Sequence, residues 1–126
     1  MWIFSKHGFF SAVEYKDNNK LVMVRARFKG DLERFCNHHF GVMLAQGDFK
    51  LPPNKKIEDC YVVAHTPEAD YPYRTVLVKE QFAMMLAQEA LEIDYTNFKD
   101  KVHDEANPAR DAAYFGVWQT MRDAQD

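Results

Sequence analysis

The sequence has little of what most catalytic motifs require. Its five glycines are dispersed over 126 residues, so no glycine-rich phosphate cradle or dinucleotide-binding turn can be assembled, and no Gly-x-Ser-x-Gly elbow occurs. The two cysteines, Cys36 and Cys60, form no C-x-x-C pair, and two alone do not make a disulfide framework. Both lie in apolar stretches and are expected to be buried free thiols, pointing to a reducing compartment and hence the cytoplasm. No apolar run approaches the ~18 residues of a membrane-crossing helix. The opening Met1-Trp2-Ile3-Phe4-Ser5-Lys6-His7 lacks the charged lead and long apolar stretch of a secretion signal. Basic charge is not in excess either. A formal net charge of −3 and a pI near 5.9 argue against non-specific attachment to nucleic acid or membrane, while leaving room for a local basic patch.

Aromatics are abundant: ten Phe, six Tyr and two Trp, enough large side chains for a well-packed core in a chain of single-domain size. Trp2-Ile3-Phe4 and Phe9 to Tyr15, separated by Lys6-His7-Gly8, predict a hairpin. Leu21 to Phe28 predicts a strand with Arg25 and Arg27 on one face and Val24, Ala26 and Phe28 on the other. Asp31 is the expected N-cap of a short helix ending near Gly41, with Leu32, Phe35, Cys36 and His39 at helical spacing. Residues 42–58, with Gly47, Pro52 and Pro53, are expected to form a long connection. Cys60 to His65 and Tyr73 to Val78 predict strands. In the helix that follows, Phe82, Met85, Leu86, Glu89 and Ile93 share one stripe, apolar except for Glu89. Phe98 and Val102 fit a short helix, and Asn107-Pro108 starts a last one carrying Tyr114, Val117, Trp118 and Met121.

This order predicts one α+β domain over residues 1–126, with a largely antiparallel sheet packed on one face by helices. A ferredoxin-like variant is within reach, although the regular βαββαβ order is not followed.

Met1-Trp2-Ile3-Phe4 with Gly8-Phe9-Phe10-Ser11, then Val24-Arg25-Ala26-Arg27, Thr66-Pro67-Glu68-Ala69-Asp70-Tyr71, Asp94-Tyr95-Thr96-Asn97-Phe98-Lys99 and Val117-Trp118 resemble, in that order, a group of small bacterial and phage proteins. The resemblance spans most of the chain. It implies a bacterial or phage setting and carries no activity with it.

The candidate ligand-binding residues are Arg25, Arg27, His65, Arg74 and Tyr61. On aligned strands the three arginines and His65 converge with Tyr15 or Tyr61 into an arginine–aromatic patch suited to phosphates or bases. The plainer alternative is a solvated sheet face paired with Glu14 or nearby acids. His38 and His39 are adjacent, about 100° apart on a helix, and no acidic or thiol partner stands at ligand spacing, so no metal is expected there. Instead His38 is expected to be exposed and His39 to pack beside Phe35 and Cys36. Glu68, Asp70, Asp94 and Asp100 read as turn and capping acids rather than a catalytic pair. Neither cysteine has a nucleophile's surroundings. Tyr114 and Trp118 are candidate interface residues, for a protein partner or a homodimer. No cofactor is expected. Three functional readings follow: a non-enzymatic interaction protein engaging a host macromolecule, a nucleotide- or RNA-phosphate-binding protein or enzyme using the Arg/His patch, or a structural assembly subunit.

Overall fold

The computed structural model describes residues 1–40, Phe40 by its backbone, and 63–125. Short turns join the first three strands as a meander: β1 (Trp2–Ser5), β2 (Gly8–Tyr15) and β3 (Asn18–Ala26). Then come α1 (Lys29–Phe40), β4 (Ala64–His65), β5 (Tyr73–Val78), α2 (Lys79–Leu91), α3 (Phe98–Val102) and α4 (Pro108–Asp123). The strands form one sheet in the order β1-β2-β3-β5-β4, and every pairing is antiparallel. This is an α+β fold. Three strands before the first helix depart from the βαββαβ order of a regular ferredoxin-like domain. The expected connection over 42–58, Cys60 and Tyr61 lie outside the described residues.

The described residues divide into two compact units, Met1–Ile93 and Asp94–Asp126. In the first unit, strand register decides what each face carries. Phe10, Ala12, Val22, Val24, Ala26 and Leu77 point to one side, where they pack with Leu32, Phe35 and Cys36 of α1 and Phe82 and Met85 of α2. Both helices therefore cover the same face. The other face holds a smaller apolar cluster of Tyr15, Ala64 and Val76, with Leu21 and Met23 against it. The stripe expected on α2 holds for Phe82, Met85 and Glu89, all buried. It does not extend to Ile93, which lies past the helix end and is exposed.

Asp31 departs from its expected role. α1 starts at Lys29, so Asp31 lies inside the first turn instead of capping it, and it is fully buried. Its carboxylate accepts from the Phe9 backbone N–H at 3.4 Å and from Arg34 at 2.8 Å. This ties α1 to the β1–β2 hairpin. Gly8 permits the close approach: it has φ +143°, and a Cβ there would stand 2.2 Å from the Asp31 carboxyl carbon. A side chain would meet both a forbidden backbone region and a steric clash.

The second unit follows its sequence signals closely. The Asn97 side chain accepts from the backbone N–H groups of Lys99 and Asp100 and caps α3. Asn107 caps α4 through the Arg110 N–H, with Pro108 at the helix start. Buried Arg110 donates to the Val102 carbonyl at 2.8 Å and stands over the Tyr114 ring at 4.7 Å. One guanidinium thereby joins the end of α3 to α4.

Candidate functional site

Two side-chain constellations in the first unit stand apart from ordinary packing. The first follows from register. Trp2 pairs with Ser11, Ser11 with Arg25, Arg25 with Arg74 and Arg74 with Ala64. These five residues form a single rung across the sheet, pointing away from α1 and α2. Two arginines thus stand directly opposite on neighbouring strands, an arrangement that is unfavourable for like charges.

Their surroundings compensate only in part. Arg25 Nη2 donates to Ser11 Oγ at 2.7 Å. Arg74 donates through Nε and Nη2 to the Tyr71 carbonyl at 3.3 and 3.1 Å. The Tyr71 ring lies against both Arg25, at 4.9 Å, and Arg27, at 4.1 Å. Arg27 also reaches Asp70 at 3.4 Å, an exposed pair of small energetic weight. The loop that carries Tyr71 is closed by Thr66 N–H donating to the Pro72 carbonyl at 2.7 Å. Arg25 Nε is buried and has no hydrogen-bond partner. Burial, and next the charge of Arg25, lower the pKa of Arg74, while Glu68 acts in the opposite sense. An arginine stays charged under such a shift, so the rung keeps two adjacent positive charges and an unused donor.

The structure brings together Arg25, Arg27 and Arg74 among the residues expected from sequence. His65 is not with them. It pairs in register with Tyr73, one residue out of phase with Arg74, and therefore faces the opposite side. There it stacks on the Tyr73 ring, 4.7 Å between centroids and 7° between planes. Tyr61 lies outside the described residues. Tyr71, in the middle of the arginines, was not expected as a site residue; its signal was its place between the two prolines of a loop entering β5. Of the expected interface residues, Tyr114 is buried, whereas Trp118 is 39% exposed, with Lys99 over its ring at 4.0 Å and Arg122 at 4.9 Å.

The second constellation lies on the helix-covered side. His7 in the β1–β2 turn, His39 near the end of α1 and Glu89 on α2 bring one ligand-capable atom each within 4.8 Å of one another. His7 Nδ1 stands 2.5 Å from Glu89 Oε1, and His39 Nε2 stands 3.8 Å from the same oxygen. Ser5 Oγ donates to that oxygen at 3.0 Å. The three side chains are 12%, 5% and 7% exposed. Phe35 packs against His39 with ring centroids 4.8 Å apart, as its helical spacing predicted. At the rim, His38 and Lys6 meet Glu92 at 2.6 and 3.2 Å, and His38 is partly exposed, also as expected.

Electrostatics fix the protonation states. Burial alone would push the Glu89 carboxyl up, but hydrogen bonding and charge from His7, with help from Ser5 and His39, bring it below its ordinary value. Burial lowers the pKa of His39; Glu89 opposes this, and His38 and His7 reinforce it. The result is an ionised carboxylate beside a neutral imidazole in a largely dry setting. At the rim, hydrogen bonds from Gln88 and then His38, with Lys6, hold Glu92 at about 2.

No family model, curated protein or solved structure matches the chain.

Proposed function

We propose that this chain is a small, non-enzymatic, cytoplasmic binding protein that takes a phosphate-bearing ligand, a nucleotide or an RNA backbone, on Arg25, Arg27 and Arg74 beside Tyr71. The observation that carries this reading is the Arg25–Arg74 pair. Two guanidinium groups are opposed in register, and the buried Arg25 Nε has no hydrogen-bond partner. An oxyanion would satisfy the donor and offset the repulsion, and arginine forks match phosphate geometry. Tyr71 is itself buried, and its ring supports Arg25 and Arg27 from one side. His65 has no part in the site. The absence, among the described residues, of any helix long and apolar enough to cross a membrane fits a ligand met in water. The rival reading, docking of a host protein on α4, has less behind it, since Tyr114 is buried.

The test is nuclear magnetic resonance of the arginine Nε–H groups. Inorganic phosphate, a nucleoside monophosphate and a short single-stranded RNA are titrated at matched ionic strength against chloride. The Arg25 resonance is expected to shift saturably with all three phosphate-bearing probes, and tighter binding of RNA than of the mononucleotide would mark a polynucleotide as the natural ligand. A response equal to that of chloride, or none, overturns the proposal.

A further inference from the structure

We propose that His7, His39 and Glu89 form a binding site for a divalent transition-metal ion, separate from the arginine rung. The three donors come from three different elements: a hairpin turn, the last turn of α1 and the buried face of α2. Nothing local holds them together, since His7 and Glu89 are 82 positions apart. The fold nevertheless brings one ligand-capable atom of each within 4.8 Å of the others. Zinc binds imidazole nitrogen and carboxylate oxygen at about 2.0–2.2 Å, which sets neighbouring donors of a tetrahedron roughly 3.3 Å apart. The separations here, 2.5 Å from His7 and 3.8 Å from His39 to Glu89 Oε1, lie on either side of that value.

A hydrogen-bonded network without metal accounts for part of the cluster. It explains the contacts of Glu89 Oε1 with His7 and Ser5. It leaves His39 Nε2 and Glu89 Oε2, both buried, without hydrogen-bond partners. Unsatisfied buried polar atoms are costly, so two on adjacent side chains need a reason. Both carry a free lone pair when that imidazole nitrogen bears no proton and the carboxylate is ionised, and one cation placed between them satisfies both. Two imidazoles and one carboxylate suit first-row transition metals such as zinc or iron, rather than magnesium or calcium, which prefer all-oxygen shells. Three protein ligands leave a coordination position open. Ser5, already bonded to the carboxylate, is placed to orient it, as outer-shell hydrogen bonds do. His38 and Glu92 pair with each other at the rim and stay outside the ligand set.

The experiment uses the full chain, stripped of metal with a chelator, and titrates Zn2+ by calorimetry and Co2+ by visible absorption. One equivalent is expected to bind, with a ligand-field spectrum for Co2+ of low coordination number. Glu89→Gln and His39→Gln, which keep volume, are each expected to weaken binding by about 100-fold or more, beyond the 10–100-fold typical of an outer-shell change. His38→Ala is expected to bind as the parent does. If Glu89→Gln fails to fold, by circular dichroism, His7→Gln in the turn replaces it. Absence of saturable binding, or binding that survives these ligand substitutions unchanged, overturns the proposal.

Discussion

Replacing Arg25 with methionine separates a ligand-binding arginine from a structural one. In the free protein the substitution has opposing effects. It breaks the 2.7 Å bond to Ser11, leaving a hydroxyl that is 2% exposed without its donor, at about 1–3 kcal/mol. It also removes the contact with the Tyr71 ring at 4.9 Å, about 0.5–1 kcal/mol. Against these, it eliminates the buried, unpartnered Nε–H, a relief of about 1–3 kcal/mol. It also relieves the like-charge opposition to Arg74, about 0.2–1 kcal/mol for a cross-strand pair. Methionine keeps an unbranched apolar stem of similar reach. The gains and losses nearly cancel, so stability is expected to change by no more than about 1 kcal/mol, or about 3–5 °C in Tm for a chain of this length. A structural arginine in a buried ion pair would cost about 3–5 kcal/mol on truncation. Ligand binding responds differently. Loss of one charge-assisted hydrogen bond, about 1.5–3 kcal/mol, weakens phosphate or nucleotide affinity roughly 10- to 150-fold. Lysine at the same position keeps the charge but not the fork, and is expected to fall between. The paired assays are denaturant unfolding and a phosphate titration at fixed salt. A loss of 3 kcal/mol in stability with unchanged affinity would refute the reasoning and make Arg25 a scaffold residue.

Three further outcomes are expected. Thr75→Val removes a hydroxyl that is buried at 1% exposure and has no hydrogen-bond partner, and keeps the branched shape. It is expected to stabilise the protein by about 1 kcal/mol, seen as a raised denaturant midpoint at constant slope, whereas a lowered midpoint would mean that the hydroxyl is bonded. Gly8→Ala places a Cβ 2.2 Å from the Asp31 carboxyl at φ +143° and is expected to cost about 3 kcal/mol; by displacing the hairpin from α1 it also moves His7, so metal affinity should fall with stability. Glu92, held at about 2 against an ordinary 4.5, contributes stability that is fully present above pH 4.5 and is lost as the pH falls through 2. The Tm difference between the parent and Glu92→Gln should therefore be positive at pH 6 and shrink to nothing in strong acid, and a difference that does not vary with pH would show that the Gln88, His38 and Lys6 contacts do not favour the ionised form.

What the sequence made legible depended on the range of the interactions. Asn97, Asn107 and Pro108 act within one helical turn, and their residue types foretold their caps. The strands followed from alternation, and the α+β class followed from the strands. Asp31 misled because a carboxylate near a helix start serves equally well as a cap or as a long-range acceptor, and one of its partners, the Phe9 N–H, is 22 positions away. The arginines were half-legible. Arg25 and Arg27 share a face by periodicity alone, but which residues of β5 and β4 face the same way depends on register, and a slip of one residue reverses the face. That single phase difference sets Arg74 beside Arg25 and turns His65 to the far side.

The histidine cluster shows how local spacing can hide a site. Neighbouring His38 and His39 lie about 100° apart on one helix, and they turn to different carboxylates, His38 to Glu92 and His39 to Glu89. The pairing that matters crosses elements. Its one sequence signal was Glu89, a carboxylate on the otherwise apolar stripe of α2. A charge on a face bound for the core needs a partner there, and the faces packed around it supply one from the hairpin turn and one from α1. Arg25 breaks the same rule on the other side of the sheet, where a charged strand residue carries a buried donor that no described neighbour accepts. In both places the fold accepts an electrostatic cost that apolar side chains would have avoided. A cation on one side and an anion on the other would each turn that cost into binding energy. The two constellations thus make opposite demands on a ligand's charge, and a ligand that satisfied both would have to be two ligands.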